Sequence, residues 1–285
     1  FQFRNKSSSK YLCCMCDLQK YIPSMFLGPQ NPKTPQELKT NDKDSVVNSN
    51  FDPSKTTVFL THGWKGNRNN TFNQMLYTAF LENGDVNVIV VDYSTDADMF
   101  YILVVQILTE VGSDLGEFIN WMTSLGLLFE KTHLVGFSLG AHVVGMAVQK
   151  KIPSHTTLDP AGPLWYDNSD SLKKSDAIYV EVIHTNMPVF GYNGRMGDAD
   201  FYPNGGKFMP ECELVTCSHS QAYKYMAQTV RLNNLIANEC LNINQATVDT
   251  FVNALRFFFS ISVTKCNKRH ILVPRDHEAL ITSLK

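Results

Sequence analysis

The sequence is short of charge. Only 18% of its 285 residues are Asp, Glu, Lys or Arg, and 25 bases nearly cancel 27 acids to leave a net charge of −2. There is no basic excess to neutralise phosphates, so nucleic acid is not expected as a partner. Long apolar runs are missing too. The longest, Met99 to Leu108, is interrupted by Gln106 and reaches about half of the roughly 18 residues that a membrane-spanning helix needs. No transmembrane segment is therefore expected. The first residues, FQFRNKSSSKYLCCMC, lack the order of charged, apolar and small-residue regions that marks a signal peptide. Neither an internal repeat nor a low-complexity tract is visible. With 44% hydrophobic residues the chain can bury a sizeable core, which excludes wholesale disorder.

Cysteine is present, in the odd number of seven. Cys13, Cys14 and Cys16 crowd the N-terminus, while Cys212, Cys217, Cys240 and Cys266 lie in the last third. The late four can form two bridges, whereas the early trio cannot all pair with one another. No Cys–His spacing reads as a zinc site, and no metal is expected. Seven cysteines favour a secreted, extracellular protein over a cytosolic one. The sequons at Asn5 and Asn69 are compatible with that.

From about residue 56 the pattern alternates between short apolar runs and longer helical stretches. Strands are expected at Thr57–Thr61, Val86–Val91, His133–Gly136, Thr156–Asp159 and Ile178–His184. Helices are expected at Thr71–Glu82, Asp98–Phe129 and Leu139–Lys150. This alternation argues for one α/β domain with a central, mostly parallel sheet and helices on both faces. The stretch from Gly191 to Gly206, rich in Gly and Asn, reads as loop. Phe251 to Val263 reads as strand or helix.

The strongest chemical signal is Gly136-Phe137-Ser138-Leu139-Gly140, set between a strand and a helix. A G-x-S-x-G pattern in that setting puts Ser138 on a tight turn, with Gly136 and Gly140 allowing backbone to approach backbone. A helix N-terminus beneath the serine favours negative charge there. A serine hydroxyl is a weak nucleophile and needs a base and an orienting acid. The expected chain order is Ser, then acid, then His. Asp159 follows an apolar strand and opens the turn Asp-Pro-Ala-Gly-Pro, and His219 follows in Cys-Ser-His-Ser. The N–H of Leu139 is one oxyanion donor by position, and the N–H of Trp64, in Thr61-His62-Gly63-Trp64, is the candidate for the second. Each such donor is worth on the order of 10²–10³ in rate. Asp92 precedes the serine and reads as structural. His142 and His184 read as packed, hydrogen-bonded histidines, and Asp176, Asp198 and Asp200 as loop or turn residues.

Together these residues resemble the pancreatic lipase family of secreted α/β hydrolases. The resemblance runs from about Asn31 onward, through FLTHGW (59–64), VVDYS (90–94), HLVGFSLGAHVVG (133–145), LDPAGP (158–163), VIHTN (182–186), DFYPNGG (200–206) and CSHSQAYKYM (217–226). It implies an α/β-hydrolase fold with Ser138 as nucleophile, Asp159 as acid and His219 as base. The family usually carries His just before the serine, where Phe137 stands here. In its triglyceride lipases two cysteines close a long lid. Here only four residues separate Cys212 from Cys217, and the loop from His184 to Asp200 is compact too. That combination resembles the phospholipase A1 branch, including arthropod secreted and venom enzymes.

The resemblance implies a single catalytic domain at 31–285 without the family's C-terminal β-sandwich, after an N-terminal segment, 1–30, of uncertain structure. Family members bind calcium through acids ahead of the His-Thr strand. Here that stretch, Ser171 to Asp176, contains Lys173 and Lys174 and lacks the acidic cluster, so no calcium site and no cofactor are expected. The expected activity is release of the sn-1 fatty acid from phospholipids at a membrane or micelle surface. The alternatives are a neutral-lipid lipase or, from another class, a non-catalytic lipid-binding or storage relative. Oligomeric state leaves no trace in the sequence.

Overall fold

The structure, a computed structural model, describes residues 22–147, 152–233, 237–238, 240, 242–247 and 270–271. Its centre is an eight-stranded sheet in the order β2-β1-β4-β3-β5-β6-β7-β8. The strands are β1 Ser24–Leu27, β2 Gln36–Leu38, β3 Thr57–Thr61, β4 Asn87–Val91, β5 Thr132–Phe137, β6 Ser154–Leu158, β7 Tyr179–Ile183 and β8 Ala199–Phe201. From β4 to β8 every pairing is parallel, and β1 runs antiparallel to both β2 and β4. This is the α/β-hydrolase arrangement of a mostly parallel sheet between helical layers.

The central strands are apolar throughout because both their faces are covered. On β3, Phe59 points into one layer while Val58 and Leu60 point into the other, and β4 divides Ile89 and Val91 from Val88 and Val90 in the same way. The first layer is built by α4 (Tyr101–Ser124) and α5 (Leu139–Ala147), the second by α2 (Thr71–Asn83) and α6 (Val215–Leu232). Shorter helices are α1 (Lys43–Val47), α3 (Ser94–Ala97) and α7 (Ile243–Thr247).

Local sequence accounts for the main helices. In α2 the Asn70 side chain accepts from the Asn73 N–H and caps the first turn, and the apolar residues Phe72, Leu76, Ala79 and Phe80 are buried at helical spacing. In α4 the buried stripe is Val104, Leu108, Val111, Leu115, Phe118, Ile119 and Met122. That helix stops where Gly126 turns left-handed and the Leu127 N–H reaches back to the Met122 carbonyl, the geometry of a Schellman cap. The helix expected from Asp98 to Phe129 is therefore shorter at both ends, since Asp98, Met99 and Phe100 separate α3 from α4.

Two further expectations change. The sheet already begins at Ser24, ahead of the boundary drawn at residue 31, because Met25 and Leu27 pack into the same layer as Val88 and Val90. The stretch from Gly191 to Gly206 is not all loop: it contains β8 and a short turn of helix at Pro203–Gly206. Among the described residues no helix is long and apolar enough to cross a membrane. Asn5, Cys13, Cys14, Cys16, Cys266 and the stretch from Phe251 to Val263 lie outside the described residues.

Candidate active site

Ser138 is the single residue between β5 and α5, and it adopts φ +57. A non-glycine residue in that left-handed region stores strain, on the order of 1–3 kcal/mol, and such strain concentrates at functional sites. The turn is closed by the Ser138 N–H donating to the Leu158 carbonyl at 3.0 Å, while the Ser138 carbonyl accepts from Ala141 and Ala161. Glycine is required on both sides. A methyl group at 136 would overlap the Gly140 carbonyl, and one at 140 would overlap the Thr61 carbonyl.

Asp159 ends the next strand, also left-handed at φ +44, and its side chain is completely buried. One carboxylate oxygen, Oδ1, accepts from the N–H groups of Thr185 (2.7 Å) and Asn186 (3.1 Å). The other, Oδ2, accepts from His219 Nδ1 at 2.6 Å. An ionised carboxylate only accepts, so the Nδ1 proton is fixed by this bond and Nε2 is left as the basic nitrogen. His219 stands in the second turn of α6, and its carbonyl accepts from the Thr185 hydroxyl at 3.3 Å. Its ring sits by Phe137 (centroids 4.6 Å apart) and Phe190 (5.6 Å). Phe137 thus brings the elbow and the imidazole together, although no hydrogen bond joins Ser138 Oγ to His219. Such bonds often tighten only when substrate arrives.

Gly63 lies directly against Ser138: a Cβ built there would be 2.8 Å from the Ser138 Cβ and 3.3 Å from its Oγ. The loop 62–64 is held by buried groups. His62 stacks on Tyr93 at 4.3 Å, the Tyr93 hydroxyl donates to the His62 carbonyl, and His62 Nε2 faces Asp92 at 3.5 Å. Burial opposes ionisation of Asp92, but its hydrogen bonds with His62 and Ser94 outweigh it and hold the carboxyl below its ordinary pKa. Trp64 is anchored by its ring N–H to the Met99 carbonyl at 2.9 Å. The main-chain N–H groups of Trp64 and Leu139 have no acceptor among the described residues.

His142, His184 and Asp200 have structural partners. His142 is buried, stacks on Trp165 at 3.7 Å, accepts from the Leu172 N–H and bonds the Ala161 carbonyl. Burial pushes its pKa down to about 3, so it stays neutral. His184 bonds Asp200 at 3.0 Å and stacks on Tyr202. Asp200 is therefore more than a loop residue. It also accepts from the Met196 and Gly197 N–H groups and ties β8 to the segment that holds Asp159. That role is invisible in the sequence, because it depends on β8 pairing with β7. The same is true of the Thr185 and Asn186 amides, which only the VIHTN stretch hinted at.

Cys212 and Cys217 are joined by a disulfide, Cα to Cα 5.4 Å, at the start of α6. Cys240 is disulfide-bonded as well. Around the site the exposed apolar side chains include Trp64, Leu164, Val189, Phe190, Phe208 and Leu214.

Comparison with known proteins identifies the family. The family model "Lipase" matches residues 15–247. The chain belongs to the pancreatic lipase family. Lipase member H-B of Xenopus laevis is 31% identical over 252 residues, covering 83% of this chain and 54% of the relative. Pancreatic lipase-related protein 2 of Homo sapiens is 30% identical over 232 residues, covering 70% of this chain and 50% of the relative. Lipase member H of Danio rerio is 37% identical over 189 residues, covering 64% and 42%. This lipase chain spans about half the length of the curated relatives it matches.

Proposed function

We propose that this lipase-family chain is a secreted serine ester hydrolase of phospholipase A1 type. Ser138 Oγ attacks the sn-1 ester carbonyl and His219 Nε2 takes its proton. Asp159 holds the imidazole in the required tautomer and balances the imidazolium that forms. The Trp64 and Leu139 N–H groups donate to the tetrahedral oxyanion. His219 then returns the proton to the leaving lysophospholipid, and water, activated by the same imidazole, releases the fatty acid.

The observation that carries the reading is the 2.6 Å bond between His219 and a buried Asp159 beside a left-handed serine. The Trp64 and Leu139 N–H groups, which have no acceptor among the described residues, fit the oxyanion donors that acyl transfer needs. The preference for a phospholipid rests on the small Cys212–Cys217 loop, which leaves the site open to a bulky headgroup. Secretion is supported by the disulfides and by the exposed sequon at Asn69.

Release of fatty acid from phosphatidylcholine and from triolein, measured side by side with the acyl position identified, tests the substrate class. Preferential sn-1 release from phosphatidylcholine is expected, and faster hydrolysis of triolein overturns the phospholipid reading. Ser138→Ala is expected to lower turnover by at least about a thousandfold with an unchanged fold. A fluorophosphonate probe should label folded wild type at Ser138 and leave that variant unlabelled.

A further inference from the structure

The Lys173-Lys174 stretch plays no part in the chemistry above, yet it lines a groove of about 530 Å³ on the surface beside the site. Three of the lining side chains are cations, Lys173, Lys174 and Arg195, and none is a carboxylate. In a chain of net charge −2 this is a local concentration of positive charge. Tyr166, Tyr192 and Ser169 add hydroxyl groups to the lining.

The nearby acids offset it only in part. Asp176 is buried and accepts from the Lys173 N–H, and Asp200 lies beneath Arg195 with His184, Met196 and Gly197 already on its oxygens. Asp167, near Tyr192, and Asp170, which accepts from the Ser169 hydroxyl at 3.5 Å, act on the lining from outside it. Lys173 and Lys174 are exposed and the Arg195 side chain is 63% exposed, so all three reach solvent, with Arg195 Nε paired to Asp200 at 3.6 Å and Lys173 Nζ donating to the Ser169 carbonyl at 3.2 Å.

The groove also adjoins the reaction site. Tyr166 and Tyr192 pack at 4.7 Å on its wall, with their rings tilted by 31°. The Tyr192 N–H donates to the Pro160 carbonyl, one residue from Asp159. Leu164, on the same loop as Tyr166, is exposed, as are Val189 and Phe190. Apolar groups beside clustered cations form the combination that binds an anionic lipid surface.

We propose that Lys173, Lys174 and Arg195 form a docking groove for phosphate esters, occupied by the phosphate headgroups of an anionic lipid surface while the neighbouring site works on an acyl chain. The choice of a lipid surface over a soluble phosphate ester rests on the hydrolase reading above, whereas the binding itself does not need Ser138.

The test uses full-length Ser138→Ala, so that vesicles stay intact, with and without Lys173→Glu and Lys174→Glu. Sedimentation is measured with vesicles of phosphatidylcholine alone and with vesicles that also contain phosphatidylglycerol. Preferential binding to the anionic vesicles, reversed by salt and weakened at least about tenfold by the double substitution, is expected. Displacement by glycerophosphate at constant ionic strength extends the site to soluble esters, and its failure confines the ligand to the lipid surface. Equal binding of the anionic vesicles with and without the two substitutions overturns the proposal. Because both substituted side chains are exposed, the fold is expected to survive, which circular dichroism verifies. Fluorophosphonate labelling of otherwise wild-type protein reports on the hydrolase reading separately.

Discussion

The Phe137 ring lies against the His219 imidazole, with centroids 4.6 Å apart and the planes inclined by 39°. The residue that precedes the elbow serine therefore touches the imidazole of the proposed base directly. Phe137 also packs on Phe72 and Tyr223, which ties the imidazole to the layer formed by α2 and α6.

Removing that ring should disorder the base more than it weakens substrate binding. Phe137→Ala is expected to lower kcat by about tenfold or more with little change in KM. It should also cost roughly 2–3 kcal/mol of stability, near the low end for a lost Phe because the residue is only partly buried. Phe137→His, the residue more usual in the family, keeps a ring in place and should recover most of kcat. Steady-state kinetics on a soluble short-chain ester, alongside urea unfolding, measures both.

Gly191 has no room for a side chain. A Cβ there would overlap the Asp159 carboxylate, approaching its Cγ to 2.8 Å. The Asp159 oxygens are fixed by Thr185, Asn186 and His219 and have nowhere to move. Gly191→Ala should displace the carboxylate and slow fluorophosphonate labelling of Ser138 by about a hundredfold. A labelling rate within about threefold of wild type would show that the acid's position is not critical.

The tight strand-to-helix turn at Ser138 was legible in the sequence because an elbow carries local signals: two close-packed glycines, a strand before it, a helix after it. The parallel core was legible because β3 and β4 are apolar on both faces. β1, β2 and β8 were not, since strands of three or four residues are too short to show a period. The partners of Asp159 and His184 were hidden for another reason. They come from main-chain N–H groups and from Asp200 on a neighbouring strand, and a main-chain donor leaves no mark on residue identity.

Asp200 and Asp176 should respond to pH in opposite directions. For Asp200, burial raises the pKa, but the His184 interaction and the Met196 and Gly197 N–H groups outweigh it and hold the carboxyl below its ordinary value. A depressed folded pKa contributes stability at neutral pH that is lost as pH falls through the carboxylate range. Asp200→Asn should therefore cost about 3 kcal/mol at neutral pH, as breaking a buried pair does, and progressively less in acid. It should lower kcat as well, because His184 anchors the segment whose amides hold Asp159. Melting temperatures against pH, with kinetics at neutral pH, test both effects.

Asp176 runs the other way. Burial pushes its carboxyl up to about 6, against the opposing pull of the Lys173 N–H and charge. Between the ordinary value of 3.8 and about 6, the folded state binds more protons than the unfolded state. Stability from this group is then greatest in acid and declines as pH rises across that window. Asp176→Asn keeps an oxygen to accept from the Lys173 N–H but removes the buried charge. The variant should be more stable than wild type at neutral pH, by roughly 1–2 kcal/mol, with the advantage vanishing near pH 4. Urea unfolding at both pH values measures the difference. A variant destabilised equally at the two would mean that the Asp176 charge is used in the fold rather than tolerated by it.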